Sequence, residues 1–234
     1  MSKFPGVDTT IFTVMSKMAS DYRAINLSQG FPDFDGPPEL MERLSWHIGH
    51  GHNQYAPLAG VPELKQQIAR KACDLYGAEV APDGEVAVTP GATEALYCAI
   101  TACLHPGDEV IVFDPAYDTY APCVSLNGGI SRHIPMSYPD FAIDWQRVEE
   151  TINDRTRLII LNSPHNPSGT VWSEEDIREL RRVIEGKDIL LVSDEVYEHI
   201  TFDGRDHLSL LRYPDLAERA FCISSFGKTL HVTG

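Results

Sequence analysis

The feature that most constrains the fold is a regular alternation of short β-rich runs with longer helical patterns along most of the 234 residues. Such alternation is typical of strand–helix–strand crossover units, which place parallel strands in one sheet with helices on its faces. The pattern predicts an α/β fold with a mostly parallel sheet. Strands are predicted at 86–89, 109–113, 129–135, 157–162, 189–193 and 220–224.

Two of the intervening helices differ in their expected surroundings. Residues 92–104 (ATEALYCAITACL) are apolar on most faces and are expected to be buried. Residues 173–185 begin with Ser173 and have an acid three positions later, which is a helix-start signal, and an amphipathic pattern follows. This second helix is expected to lie on the surface.

Ahead of the sheet, residues 8–81 contain two helical patterns and one unusual loop, 30–38 (GFPDFDGPP). Two glycines, three prolines and two phenylalanines make this loop stiff and partly apolar, which is typical of loops that carry binding groups on a scaffold. We therefore expect the loop to contribute to a binding site.

Charge and composition exclude several classes of function. With 19 Lys and Arg against 34 Asp and Glu, the formal charge is −15, and the chain has no basic cluster to neutralise the phosphates of a nucleic acid. No apolar run approaches the roughly 20 residues that cross a bilayer, and the N-terminus lacks a signal-peptide pattern. Five cysteines without a C-x-x-C pair are typical of reduced thiols. We expect a cytoplasmic protein with a small-molecule partner and no nucleic acid, membrane or metal.

The segment 89–94 (TPGATE), between a predicted strand and a predicted helix, has the features of an anion site. The unpaired amides and the positive dipole end of a helix N-terminus attract phosphate, and Gly91 permits a close approach. The alternative is that Thr89 or Thr93 caps the helix, with Glu94 placed favourably at its positive end. Taken alone, the segment does not decide between the two interpretations.

Polar residues follow two further strands at their carboxyl ends, where ligands bind in open α/β sheets. Asp194, in 193–197 (SDEVY), is positioned to hold a metal, a ribose hydroxyl or a protonated heterocycle, or else to cap the next helix. The segment 162–169 (NSPHNPSG) has two X-Pro bonds, which predict a rigid turn that aims an amide side chain into the crevice. Because this loop is tight, the Asn166–Pro167 bond is predicted to be cis.

The segment 224–229 (SSFGKT) ends like a phosphate-binding P-loop, which makes an NTPase the obvious alternative. That motif requires glycine where this chain has Cys222, and this difference argues against an NTPase. A Rossmann dehydrogenase is disfavoured because no G-x-G-x-x-G follows a predicted strand. A lysine combined with an anion-binding helix start, and with Asp and Asn at other strand ends, is what a pyridoxal phosphate enzyme needs, since Lys228 can form a Schiff base with the aldehyde.

These segments, and others along the whole chain, resemble the class I/II aminotransferases of fold type I. Within that family the chain is most similar to the bacterial methionine aminotransferases and the kynurenine/glutamine transaminases. The matching segments, in the family's order, are 25–34 (INLSQGFPDF), 53–55 (NQY), 90–96 (PGATEAL), 165–167 (HNP), 193–197 (SDEVY) and 225–229 (SFGKT). The resemblance implies an α/β/α sandwich around a mostly parallel, seven-stranded-type sheet, with pyridoxal 5′-phosphate as cofactor.

The resemblance also implies a role for each matching residue. Lys228 would hold the cofactor aldehyde and move the proton between substrate Cα and cofactor C4′. Asp194 would pair with the protonated pyridine nitrogen, because a cationic ring is the better electron sink. Asn166 and Tyr197 would hydrogen-bond the ring oxygen O3′, and Tyr117 would lie against the ring. The implied catalytic residues are therefore Lys228, Asp194 and Tyr197.

The remaining implied contacts are to the cofactor phosphate and to the substrate. The phosphate ligands would be Gly91, Ala92, Thr93 and Ser225. Tyr55 would reach the phosphate of the neighbouring subunit, which implies a homodimer with shared active sites. The substrate contacts would be Gly30, Phe31, Phe12 and Asn166.

Family members continue with a second basic phosphate ligand and a small domain whose arginine binds the substrate carboxylate. We therefore interpret 1–45 as an N-terminal segment of the small domain and substrate pocket, and 46–234 as an incomplete large cofactor domain without the C-terminal small domain. The implied reaction is transamination between an amino acid of the methionine, glutamine, aromatic or kynurenine type and a 2-oxo acid. The 234-residue piece alone is expected to be inactive. The open alternatives are a carbon–sulfur β-lyase of the same fold and a truncated product that acts only through its dimer surface.

Overall fold

The computed structural model describes residues 9–30 and 32–233, and the chain divides into two compact units, Met1–His52 and Asn53–Gly234. The described part of the first unit contains helices α1 (Ile11–Asp21) and α2 (Pro38–Gly49). The Thr10 hydroxyl caps α1 by accepting the Thr13 N–H at 3.3 Å. Helix α2 begins at a proline, whose missing N–H costs nothing in a first turn.

In the described residues of the second unit, five strands form one sheet. The strands are β1 (Glu109–Asp114), β2 (Ile130–Pro135), β3 (Thr156–Asn162), β4 (Leu190–Asp194) and β5 (Ala220–Ile223). The helices are α3 (Pro62–Tyr76), α4 (Pro82–Glu85), α5 (Ala92–Cys103), α6 (Tyr120–Leu126), α7 (Trp145–Thr151), α8 (Glu174–Ile184), α9 (Pro214–Ala217) and α10 (Phe226–Thr229), with a 3-10 helix at Leu210–Arg212. The strand order is β2-β1-β3-β4-β5, and every neighbouring pair is parallel.

Successive residues of a strand point to opposite faces of the sheet, and in this sheet the residues on both faces are apolar. In β1, Ile111 and Phe113 join one hydrophobic core, while Val110 and Val112 join the other. Helices α7 and α8 cover the first core, and α5 and α6 cover the second. This arrangement is the α/β/α sandwich that the resemblance implies, with five parallel strands in the described residues.

Five of the six predicted strands are confirmed, and the strand predicted at 86–89 is wrong. That segment has no regular secondary structure and lies outside the sheet, and the Val88 N–H donates to the Ala59 carbonyl of a loop at 3.0 Å. A strand needs a neighbour that accepts and donates along its length. Alternation of apolar and polar residues shows which faces are suited to burial, but it does not supply that neighbour.

Helix α5 is less buried than predicted. Leu96 and Ile100 pack into the core, whereas Tyr97 and Cys98 on the other side are exposed. Its apolar composition therefore exceeds what one buried face requires. Helix α8 lies on the surface as predicted and begins with a capping box between Ser173 and Asp176.

Residues 8–81, in which two helical patterns are expected, contain the three helices α1, α2 and α3 in their described part. The prolines at positions 38 and 62 are typical of loops, but in the structure each of them occupies the first turn of a helix. No helix in the described part of the chain is both long and apolar enough to cross a membrane.

Candidate active site

The candidate site lies at the carboxyl ends of the parallel strands. In the sheet register, Asn162 at the end of β3 pairs with Asp194 at the end of β4, and Asp194 pairs with Ile223 at the end of β5. Strand β1 is the other neighbour of β3. The loops after these four strands therefore begin side by side, as they do around ligand sites of open α/β sheets. The strand ends and the segments that follow them carry Tyr117, Asn166, Asp194, Tyr197, Ser225 and Lys228.

Asp194 is a buried carboxyl group of the site, with only 3% of the residue exposed. The Tyr120 hydroxyl donates to its Oδ2 at 2.6 Å, and the Val196 N–H donates to its Oδ1 at 3.3 Å. Burial raises the pKa of Asp194, although these two hydrogen bonds and the charge of Lys228 act in the opposite direction. None of the ion pairs among the described residues includes this carboxylate. A cationic group of a ligand would therefore be stabilised beside it.

Asn162 connects the ends of β3 and β4 with the loop that follows β3. Its Nδ2 donates to the Asp194 carbonyl at 2.9 Å, and its Oδ1 accepts from the Asn166 N–H at 2.7 Å. The Asn166–Pro167 bond is cis, as predicted. Asn166 is half-buried, and its side-chain amide forms no hydrogen bond within residues 9–30 and 32–233. That amide is therefore available to a ligand.

Lys228 lies in α10, which follows β5 after a two-residue connection. The Ser225 hydroxyl caps this short helix by accepting the Lys228 N–H at 3.4 Å. The Lys228 Nζ lies 5.6 Å from the centre of the Tyr197 ring, within the range of a cation–π contact. The Lys228 side chain is exposed and has no carboxylate partner in the described part of the chain. Its amine is therefore accessible to an aldehyde.

The start of α5 has amide groups without partners. Gly91 precedes the helix with a φ of 86°, and no side chain caps the helix. The Thr89 hydroxyl donates instead to the Gly91 carbonyl at 2.9 Å, so the alternative that Thr89 or Thr93 caps α5 is wrong. The first hydrogen bond of the helix runs from the Ala95 N–H to the Gly91 carbonyl, which leaves the earlier amides, including those of Ala92 and Thr93, unpaired within the described chain. Because unpaired amides at a helix N-terminus favour negative charge, they form a suitable anion site. The helix itself packs against β4 and β5.

No role is predicted from the sequence for Tyr120 or Asn162, although both hold Asp194. The Tyr120 ring meets the half-buried Tyr117 ring edge to face, with 5.7 Å between the centroids. Asn162 could have been found, because it is the last residue of a buried strand. Tyr120 could not, because only the strand order brings the start of α6, which follows β1, close to the end of β4.

The structure does not join the other predicted residues to this group. Tyr55 is fully exposed in the second unit. Gly30 is exposed and Phe12 is half-buried in α1, and both belong to the first unit. Phe31 lies outside the described residues. Within the described ranges, no group of three or more His, Cys, Asp or Glu side chains could hold a metal ion.

Comparison with known proteins places this chain in a family. The family model described as aminotransferase class I and II matches residues 22–234. The chain belongs to the class I and II aminotransferases. The parallel sheet flanked by helices in this aminotransferase chain agrees with that membership.

The aminotransferase chain is 54% identical over 233 residues to methionine aminotransferase of Escherichia coli (strain K12), covering 100% of this chain and 60% of the relative. It is 35% identical to human kynurenine–oxoglutarate transaminase 3, covering 99% of this chain and 54% of the relative. A solved Escherichia coli structure, reported to identify a methionine aminotransferase function, superimposes with a TM-score of 0.96 at 54% identity and covers 100% of this chain and 61% of that one. The chain thus spans 54% to 61% of the length of these relatives.

Proposed function

We propose that this chain forms the cofactor-binding part of a pyridoxal-phosphate-dependent aminotransferase. The observation that carries the proposal is Asp194, a buried carboxylate that forms no ion pair among the described residues. The same group of loops contains an accessible lysine, Lys228. Similarity to a methionine aminotransferase and a kynurenine–oxoglutarate transaminase supports the same activity.

The residues of the site fit each polar part of this cofactor. Asp194 offers its carboxylate to a protonated pyridine nitrogen, and Asn166 and Tyr197 offer donors to the ring oxygen O3′. The uncapped start of α5 and the Ser225 hydroxyl offer donors to the phosphate. Tyr117 is half-buried beside Tyr120 and offers a ring face for stacking.

The site residues would divide the work of the reaction between them. Pyridoxal phosphate supplies an aldehyde that condenses with amines and a cationic ring that withdraws electrons from the substrate Cα. Lys228 would hold the cofactor through its aldehyde, and its amine would move a proton between the substrate Cα and the cofactor C4′. Asp194 keeps the proton on the ring nitrogen, and Tyr120 holds that carboxylate in place through their 2.6 Å hydrogen bond. Asn166 and Tyr197 stabilise the negative charge on O3′.

We also propose the substrate class. The amino donor would be of the methionine, glutamine, aromatic or kynurenine type, and the acceptor would be a 2-oxo acid. The names of the 54% and 35% identical relatives support this range. Gly30, Phe12 and Phe31 are the proposed substrate contacts. The domain limits 1–45 and 46–234, and the inactivity of the 234-residue chain by itself, stay predictions.

The proposed enzyme is a cytoplasmic homodimer with shared active sites. Tyr55 supports the shared site, because its side chain is fully exposed on its own subunit and is free to reach a phosphate bound by another. Sedimentation equilibrium of the natural full-length protein is expected to give twice the subunit mass. A monomer that retains full activity would contradict this part of the proposal.

Transfer of isotopically labelled nitrogen tests the proposed activity. The natural full-length protein, loaded with pyridoxal phosphate, is expected to move the label from methionine, glutamine, an aromatic amino acid or kynurenine to a 2-oxo acid. Lys228→Ala is expected to abolish transfer, while Lys187→Ala, outside the site, retains it. Release of ammonia and pyruvate from cystathionine without an acceptor, and no labelled product with any donor, would show β-elimination and contradict transamination.

A further inference from the structure

We propose that Glu198 is a positioning residue that sets the spacing between Tyr197 and Lys228; this inference rests on the proposed function. Glu198 directly follows Tyr197 in the turn after β4 and is only 4% exposed. Its carboxylate accepts three hydrogen bonds from two different parts of the second unit. The donors are Lys71 and Tyr76 of α3, and Ser224 of the connection that leads to Lys228.

The main chain joins the same two segments that Glu198 joins through its side chain. The Glu195 N–H donates to the Ile223 carbonyl at the end of β5 at 2.8 Å, and the Glu198 N–H donates to the Glu195 carbonyl at 2.9 Å. The turn after β4 is therefore fixed to the end of β5 by the backbone. The Ser224 hydroxyl adds a second connection, one residue before the Ser225 cap of α10.

The positive charge of Lys71 stabilises the ionised form of the buried Glu198 carboxylate. Burial alone would raise the pKa of Glu198, but hydrogen bonds from Lys71, Ser224 and Tyr76 lower it below its ordinary value. The carboxylate therefore stays ionised and accepts from all three donors. The Lys71 Nζ also lies 3.3 Å from the Ser224 hydroxyl, so the cation contacts both members of the connection.

The two kinds of donor have different consequences. The bonds from α3 anchor Glu198 in the fold, whereas the bond from Ser224 ties the lysine-bearing segment to the turn that carries Tyr197. If the Ser224 hydroxyl is removed, α10 still forms, because Ser225 caps it. The segment before α10 then loses its side-chain hydrogen bond to Glu198 in the turn after β4. Ser225 and Lys228 would then be less well placed for the phosphate and the aldehyde of the cofactor.

A matched pair of variants separates positioning from plain stability. Ser224→Ala and Tyr76→Phe each remove one hydroxyl donor to the same carboxylate, but only Ser224 belongs to the lysine-bearing segment. The measurements are the dissociation constant for pyridoxal phosphate by equilibrium dialysis, the yield of pyridoxyl adduct on Lys228 after borohydride reduction, and the melting temperature. All are made on the natural full-length protein.

Ser224→Ala and Glu198→Gln are expected to weaken cofactor binding about tenfold, which is the size of a lost hydrogen bond to a charged group. They should also lower the Lys228 adduct yield at subsaturating cofactor. Tyr76→Phe is expected to have a dissociation constant for pyridoxal phosphate within about twofold of the parent's. Its melting temperature is expected to fall by about as much as that of Ser224→Ala. Equal binding by Ser224→Ala and the parent, or equal weakening by Tyr76→Phe, would overturn the proposal. No adduct on Lys228 in the unsubstituted protein would overturn the proposed function and this inference with it.

Discussion

Replacement of Tyr120 by phenylalanine removes one buried hydroxyl from the centre of the site. That hydroxyl donates to Asp194 Oδ2 at 2.6 Å, and both residues are 3% exposed. No water can take its place without a cavity, so the carboxylate would keep only the Val196 N–H at 3.3 Å. A hydrogen bond to a buried charged group contributes roughly 1.5–3 kcal/mol. We therefore expect Tyr120→Phe to lose about that much free energy of unfolding, measured by denaturant titration of the cofactor-free protein at mildly alkaline pH.

Tyr213→Phe is the matched control for this prediction. It removes a hydroxyl that donates to the exposed Glu174 at 2.9 Å, and exposed polar pairs of this kind contribute less than about 1 kcal/mol. A Tyr120→Phe loss no larger than that of Tyr213→Phe would refute the conclusion that Asp194 is buried and held by Tyr120. Binding of pyridoxal phosphate should weaken in Tyr120→Phe only, since Tyr213 lies outside the site.

Three further predictions follow from particular contacts. Hydrogen bonds from Arg132 lower the pKa of Glu109 from 4.5 to about 2, so Glu109→Gln should lose about 1–3 kcal/mol of unfolding free energy at neutral pH. Because a lowered pKa stabilises the fold above the unfolded value, this loss should shrink between pH 4.5 and about 2, and a loss unchanged in acid would contradict it. Burial raises the pKa of Asp194, so the contribution of this residue to stability falls as the pH rises through its pKa in the folded protein. Cofactor-free Asp194→Asn should therefore be no less stable than the parent at neutral pH. The same variant should bind the cofactor about tenfold more weakly or worse, measured by equilibrium dialysis. Gly91 has a φ of 86° and open surroundings, so Gly91→Ala should cost about 1 kcal/mol of stability through backbone strain, and a melting temperature equal to the parent's would refute that strain.

Much of the site could be predicted because its residues follow strands directly. Apolar runs that end in Asp194 and in Asn162 indicate buried strands, and parallel strands present their carboxyl ends at one edge of the sheet. The loop with Asn166 was predicted on the same grounds, down to its cis proline. These features depend on local pattern, which a single sequence records.

Other features depend on which segments meet, and local pattern does not record that. Glu198 and Lys71 form an ion pair although they lie 127 residues apart along the chain. Tyr120, at the start of α6, reaches Asp194 across 74 residues of the chain because β1 and β4 flank β3. The segment 86–89 has a strand-like pattern but no strand beside it in the described residues. In the first case the packing of α3 decides the contact, in the second the strand order decides it, and in the third the absence of a neighbouring strand among residues 9–30 and 32–233 does. All three are features of the tertiary structure.

The most direct test of the central claim is the position of the covalent bond to the cofactor. The natural full-length protein, loaded with pyridoxal phosphate and reduced with borohydride, is digested and examined by mass spectrometry, with Lys228→Ala and Lys187→Ala as paired controls. We expect a pyridoxyl adduct on Lys228 in the parent and in Lys187→Ala, and none in Lys228→Ala. An adduct on another lysine, or no adduct in the parent, would contradict the assignment of this site.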